Sequence, residues 1–321
     1  MKSGAAWLAC AEPEEVDEFL GGLSDNALAG LPWLFEFWAL PHQLPPEGDW
    51  KSWVIMGGRG AGKTRAGAEW VRAQVEGATP EAPGRAHRVA LVSETFDQAR
   101  DVMVFGESGI LACSPPDRRP VWEAGRRRLV WPNGATAQVY SAHEPEALRG
   151  PQFDAAWVDE LAKWKKAEDT WDMLQFALRL GAHPQQVVTT TPRNVAVLKR
   201  ILGNASTVTT HAPTDANRAY LAESFLSEVE ARYAGTRLGR QELEGVVGAD
   251  AAGRRRPDGT IAQSTSATGY RQRDQTADKS KRSHQNRTQT AGCPLDGRSH
   301  NANAFLAALV RHLDNQDRIL T

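Results

Sequence analysis

Short apolar runs alternate with amphipathic stretches through most of this chain. Trp53-Val54-Ile55-Met56 is one run, and Arg88–Ser93, 155–158, 187–190 and 207–211 are others. Each has the length of a buried strand. Between them apolar residues recur at helical spacing: Ala66, Trp70 and Val71 share a face, and 95–103, 164–180, 195–202 and 221–233 repeat the pattern. Residues 129–131 and 135–140 flank Pro132-Asn133-Gly134, the pattern of a β-hairpin on an Asn-Gly turn. Near the start, 13–20 and 24–29 read as short helices with acidic or Ser starts. Strands alternating with helices predict an α/β fold, a mostly parallel sheet with helices on both faces.

The pattern stops near residue 250. From 251 to 300 the large apolar residues are Ile261, Tyr270 and Leu295, and all eleven tryptophans lie between Trp7 and Trp171. A stretch so poor in apolar side chains cannot offset its chain entropy, so a disordered tail is expected. Phe305, Leu306, Leu309, Val310 and Leu313 then allow one short helix near 303–314. The expected organisation is a helical segment at 1–30, one α/β domain at 31–245, and a low-complexity tail at 246–321.

Composition narrows the function less than pattern does. The formal net charge is −1, so nucleic-acid contacts would have to be local. Cys10, Cys113 and Cys293 form no C-x-x-C pair, which gives no zinc signature. No apolar run approaches the roughly 20 residues of a membrane span. Glu12, Glu14, Glu15, Asp17 and Glu18 make the N-terminus too acidic for a secretory signal, and a cytoplasmic protein without a membrane partner is expected. His42, His143 and His211 show no ligand spacing and receive no chemistry. Arg126-Arg127-Arg128 reads as a solvated charge run, with contact to DNA phosphates as the alternative.

The chemistry is concentrated in Gly57-Gly58-Arg59-Gly60-Ala61-Gly62-Lys63-Thr64, which fits G-x-x-x-x-G-K-[ST] at every fixed position between a strand and a helix. Such a loop turns backbone N–H groups around phosphate oxygens at a helix N-terminus. Lys63 is expected at the β/γ-phosphates of ATP, and Thr64 at Mg²⁺. Residues 153–160 form the second anchor, a buried run ending in two acids. Asp159 at the strand tip would hold Mg²⁺ from the other side, and Glu160 would polarise the attacking water. The interval from Thr64 to Asp159 leaves room for inserted strands, which favours the RecA-like P-loop NTPase type. Thr189, Thr190 and Thr191 end a third strand, where hydroxyls could distinguish ATP from ADP and couple that difference to a neighbouring element.

These residues resemble the large terminase subunit of tailed phages and phage-like gene transfer agents, a DNA-packaging motor ATPase. The likeness lies in the Arg59-bearing phosphate loop, in residues 147–153 leading to Trp157-Val158-Asp159-Glu160, and in residues 33–46. It spans about residues 20–245. The resemblance implies that Gln43 reads the adenine edge and that Thr189, Thr190 and Thr191 form the coupling motif. It implies that Arg59 acts on the γ-phosphate from its own loop, and Arg149 from a neighbouring subunit. A homo-oligomeric ring, double-stranded DNA, a portal protein and a small terminase subunit are the partners implied, with transient residence on a prohead. Beyond Gly245 the likeness is expected to end. Val246-Val247-Gly248-Ala249-Asp250 is only faintly like a nuclease's first strand, so the nuclease domain of such subunits is expected to be missing and the tail reads like out-of-frame sequence. Two rival readings remain open at this point, a helicase-type nucleic-acid-dependent ATPase and a non-functional prophage remnant.

Overall fold

A computed structural model of the chain describes residues 4–8 and 10–246. The expected tail, its short helix and the missing nuclease lie outside the described residues. The first helices are α1 (Gly4–Leu8), α2 (Pro13–Gly21), α3 (Asp25–Gly30) and α4 (Phe35–Trp38). Ser24 caps α3, its hydroxyl accepting from the Ala27 N–H. Leu23, Ala27, Leu31 and Phe37 give this region a small core of its own.

The sheet follows: β1 (Ser52–Gly57), β2 (Arg88–Ser93), β3 (Val121–Glu123), β4 (Arg128–Val130), β5 (Thr136–Ser141), β6 (Ala155–Asp159), β7 (Gln185–Thr190) and β8 (Thr207–Ala212). Interleaved helices are α5 (Lys63–Val75), α6 (Phe96–Gln98), α7 (Ile110–Cys113), α8 (Ala167–Ala177) and α9 (Ala196–Leu202). Two more, α10 (Glu223–Tyr233) and α11 (Arg237–Glu242), come after β8. The eight strands pair in the order β3-β4-β5-β2-β6-β7-β1-β8. β5 through β8 in that order are mutually parallel, and β3 and β4 add an antiparallel edge.

The strands are buried on both sides, and alternate residues serve opposite layers. Trp53, Ile55, Val89, Leu91, Trp157 and Val187 pack with α5 and α7, whereas Val54, Ala90, Val92, Ala156, Val158 and Val188 pack with α8 and α9. Period-2 alternation on near-continuous apolar runs is what a sheet covered on both faces requires. The expected fold class is borne out.

The differences are local. The predicted helix at 95–103 is α6 followed by a π-helical turn, Ala99–Val104, in which the Phe105 N–H donates to the Arg100 carbonyl. Its widened turn is invisible to a 3.6-residue period. The helix expected at 164–180 is shorter, because Trp164 and Leu178 have non-helical ψ angles that stop it on either side. β3, α1, α7 and α11 are too short to register as patterns.

Candidate functional site

The parallel strands present their C-terminal ends together. β7 lies between β1 and β6, so Lys63 follows one strand and Asp159–Glu160 another, with Thr189–Thr191 in the gap. Ligands of open α/β sheets bind outside the carboxyl ends of the strands, where the order of connection reverses.

The phosphate loop turns through left-handed backbone at Gly60 (φ 78°) and Gly62 (φ 79°), which a side chain would strain. Gly62 then caps α5, so α5 starts at Lys63 and aims its N–H groups at the loop. Lys63 is buried, and its Nζ donates to the Gly57 and Gly58 carbonyls over 3.0 and 2.9 Å. Burial pulls this ammonium below the usual lysine range, against the attraction of Glu160 and Asp159. No bond or ion pair distinguishes Thr64 at the start of the same helix.

Asp159 is buried at the tip of β6 and pairs in register with Thr189. Burial, with the neighbouring charge of Glu160, pushes its carboxyl up to about 6. The nearest neutral donor is Thr189 Oγ1, 2.7 Å from Oδ1. A buried carboxylate with no ion pair of its own is short of positive charge, and a hard, oxygen-seeking cation such as Mg²⁺ fits it. Glu160 takes left-handed backbone (φ 54°). That costs a non-glycine residue on the order of 1 kcal/mol, and a hydrogen bond from the Glu160 N–H to the Thr189 carbonyl at 2.6 Å holds it there. The Glu160 carboxylate accepts from the Thr191 N–H and Oγ1 at 3.4 Å each, and Lys163 Nζ is 3.1 Å away.

The three threonines therefore divide. Thr189 bonds Asp159, Thr190 Oγ1 accepts from the Ala162 N–H at 3.2 Å, and Thr191 faces Glu160.

Gln43 sits in a short 3-10 turn (Pro41–Gln43) and reaches the same loop. Its Nε2 donates to the Gly62 carbonyl at 3.0 Å, and its Oε1 accepts from the Leu40 N–H at 2.8 Å. One N–H and one lone pair remain for a further partner. His42, given no chemistry from sequence, places Nε2 2.7 Å from the Ala61 carbonyl. That atom must carry the proton facing the carbonyl, and burial pulls the ring below the usual histidine range. The Trp53 indole and Thr210 hydroxyl hold the His42 carbonyl from behind, at 3.0 and 2.7 Å in succession. Only the proximity of His42 to Gln43 in sequence could have pointed to it.

Residues 213–246 form the far wall of the loop, which the pattern of hydrophobic positions did not reveal. The Arg59 N–H donates to the Glu242 carbonyl, Thr214 Oγ1 to the Arg59 carbonyl (2.7 Å), and Asn217 Nδ2 to the Gly60 carbonyl (2.7 Å). His211 Nε2 lies 2.8 Å from the Gly245 carbonyl. The Arg59 side chain is largely exposed and 3.8 Å from Glu242. Arg149 is also exposed and ion-paired with Glu146 at 2.8 Å. The arginine triplet is mostly engaged within the chain: Arg128 pairs with Glu123 at 2.7 Å, and Arg127 lies over the Phe96 ring at 4.4 Å. No group of three His, Cys, Asp or Glu side chains among the described residues could hold a metal, and no helix among them is long and apolar enough to cross a membrane.

Comparison with known proteins agrees with this fold. The large terminase of a thermophilic bacteriophage superposes with a TM-score of 0.50 at 13% identity, over 70% of this chain and 53% of that one. An ADP complex of the same phage protein gives 0.49 at 15% identity, over 70% and 53%. The large terminase ATPase domain of a Thermus phage gives 0.45 at 18% identity, over 72% and 96%. The chain thus spans about half the length of the first of these proteins. No curated protein matches it. Residues 54–261 match the family described as terminase large subunit, T4likevirus-type, N-terminal. That match corrects the expected end of the likeness at Gly245, because Val246-Val247-Gly248-Ala249-Asp250 lies inside it. With well over half its length covered, this chain belongs to the T4-like-virus type of terminase large subunits and corresponds to their N-terminal part.

Proposed function

We propose that the chain is the ATP-hydrolysing part of a DNA-packaging motor, which moves double-stranded DNA into a phage-type prohead. The convergence of Lys63, Asp159 and Glu160 at the strand ends on either side of β7 carries this reading. Lys63 leaves its two loop carbonyls for the β/γ-phosphates of ATP. Gln43 uses its free N–H and lone pair on the adenine edge. Thr64 and Asp159 would hold Mg²⁺, which supplies charge neutralisation at the phosphates. Glu160, steadied by Thr191, accepts the proton of the water that attacks the γ-phosphorus while ADP leaves. Arg59 serves the γ-phosphate once released from Glu242, and Arg149 does so from a neighbouring copy in a ring. Membership of the terminase large subunits, over a match that includes the phosphate loop and both acids, supports a nucleotide at this place. A portal protein and a small terminase subunit are the further partners of this reading, with work in the cytoplasm and on the prohead.

Phosphate release from Mg·ATP by the purified chain tests it, with Lys63→Ala as the comparison. The expected result is turnover in the parent and loss of nucleotide binding in the variant. Equal hydrolysis by both would overturn the assignment of the loop. Arg149→Ala mixed with Glu160→Gln should recover some hydrolysis, since one partner brings an intact Glu160 and the other an intact Arg149. No recovery where assembled rings are seen would reject the role between subunits.

A further inference from the structure

A line of hydrogen bonds runs behind the tip of β6. The Trp157 indole Nε1 donates to Thr189 Oγ1 over 2.9 Å, and Thr189 Oγ1 lies 2.7 Å from Asp159 Oδ1. An indole N–H can only donate and an ionised carboxylate can only accept, which together fix both directions. Thr189 accepts from Trp157 and gives its single proton to Asp159. The competing acceptor, the Val158 carbonyl, is farther away at 3.3 Å. One carboxylate oxygen is thereby held by a neutral donor, and the other accepts no hydrogen bond among the described residues. Trp157, Thr189 and Asp159 are all buried, so water cannot substitute for a missing partner.

Both ends of this line are anchored. The Trp164 indole donates to the Asp159 backbone carbonyl at 3.0 Å, which fixes the strand tip itself. Trp157 fills a notch in the phosphate-loop helix at Gly67, where a Cβ would stand 2.3 Å from Cε2 and 2.4 Å from Nε1 of the indole. The ring cannot shift without moving α5.

We infer that Trp157 and Thr189 are positioning residues for the Asp159 carboxylate: the indole, seated against α5 at Gly67, orients the Thr189 hydroxyl, which holds one carboxylate oxygen and presents the other to the cation of the bound nucleotide. This rests on the nucleotide reading above. It gives Thr189 a task different from that of Thr191, which faces Glu160. Carboxylates that bind metals through such outer partners commonly lose about 10–100-fold in affinity when the partner is removed.

A merely structural bond predicts a different outcome, and the fold contains its own control. Trp53 donates to Thr210, which donates to the His42 carbonyl, an arrangement of the same kind that ends on a neutral peptide group. Thr189→Val removes a buried hydroxyl and Thr210→Val a half-buried one, each from an indole. Only the first removes a donor from a carboxylate.

The test measures Mn²⁺ affinity by electron paramagnetic resonance with ATPγS bound, alongside ATPγS affinity in EDTA. Thr189→Val should weaken Mn²⁺ by about 10-fold or more, and Trp157→Phe by a smaller factor of about 3. Thr189→Ser, which keeps the hydroxyl, should restore affinity to within about 3-fold of the parent. Thr210→Val should lower thermal stability without moving Mn²⁺ affinity. Metal-free nucleotide affinity should be retained in Thr189→Val. If Thr189→Val unfolds, the Trp157→Phe and Thr189→Ser pair decides the matter alone. Mn²⁺ affinity unchanged in both Thr189→Val and Trp157→Phe would overturn the inference while leaving the nucleotide reading intact. So would an equal loss in Thr210→Val. A parent protein that binds no Mn²⁺ with ATPγS would overturn the nucleotide reading, and this inference with it.

Discussion

On one side the phosphate-loop helix α5 rests on β6 and β7, where Trp157, Thr189 and Asp159 are buried and joined by hydrogen bonds. On the other the loop itself rests on residues 213–246, where it is met mainly through backbone carbonyls and the side chains of Thr214 and Asn217. The first wall belongs to the sheet and moves only if the sheet moves. In the second, α10 contributes a single buried residue, Leu226, and α11 contributes Gly239. A segment with so little buried apolar surface opens at lower free energy than a core strand. Chemistry that needs fixed geometry sits on the rigid side. The more exposed side holds the same loop through fewer buried groups.

The largest contrast is expected from one kind of substitution made on both walls. Glu160→Gln should lower the hydrolysis rate by about 10²–10⁴-fold while nucleotide still binds, because an amide cannot accept the water's proton. Glu242→Gln should change it by no more than about 5-fold, since its partner Arg59 is exposed and such pairs contribute at most about 1 kcal/mol. Single-turnover rates for both check this. A comparable loss in the two variants would erase the distinction between the walls.

Thiol chemistry sharpens the comparison next. Cys113 lies buried in the same core as α5, and burial, with the nearby Glu69 charge, pushes its thiol up to about 12. Almost no thiolate exists at pH 8, so alkylation in the folded protein should be about 10³-fold slower than in the unfolded chain. A cysteine introduced as Ser227→Cys on the exposed side of α10 should label at close to the unfolded rate. Labelling of both sites followed by peptide mass spectrometry provides the rates. Fast modification of Cys113 under native conditions would show that the buried side opens as readily as the other.

The rigid wall was also the legible one. Its strands carry unbroken apolar runs, and its acids sit directly at the run's end, so Asp159 and Glu160 could be placed from sequence. The phosphate loop was legible because its glycines and Lys63 occur at fixed spacing. The second wall was not. Residues 221–233 show a helical period, but the contacts that matter come from carbonyls of Glu242 and Gly245, which no side-chain pattern encodes. Strand order was hidden for a related reason: β7 inserts between β1 and β6 although it follows both in the chain. The division of labour among Thr189, Thr190 and Thr191 depends on which face each side chain takes and on an indole thirty-two residues away in sequence. Gly67 looks from the sequence like an ordinary weak point of a helix.

That glycine supplies the third prediction. In an exposed helix, replacing glycine by alanine stabilises by up to about 1 kcal/mol. Gly67→Ala should instead destabilise by about 1–3 kcal/mol, because the new methyl meets the Trp157 ring and neither α5 nor β6 has room to yield. Gly235→Ala on the second wall meets nothing nearby but sits at φ 73°, so strain of about 1 kcal/mol is the whole cost. Urea denaturation of the two variants gives the difference. Stabilisation by Gly67→Ala would mean that the indole does not occupy the notch.

The smallest effect is expected at the joint between the second wall and the loop. Thr214 Oγ1 donates to the Arg59 carbonyl, and the Thr214 N–H donates to the Leu243 carbonyl, so this one residue ties α11 to the loop. Thr214→Val keeps the shape and the backbone bond but removes the hydroxyl, a loss of about 0.5–1.5 kcal/mol. The sheet does not depend on that bond. Global unfolding should therefore shift little, while hydrogen exchange in residues 213–246 should accelerate by about 2–10-fold. Amides of β6 and β7 should keep the parent's rates. Equal acceleration in β6 would mean that the two walls unfold as one unit, and the grip of residues 213–246 could not then change independently of the site that Asp159 and Glu160 form.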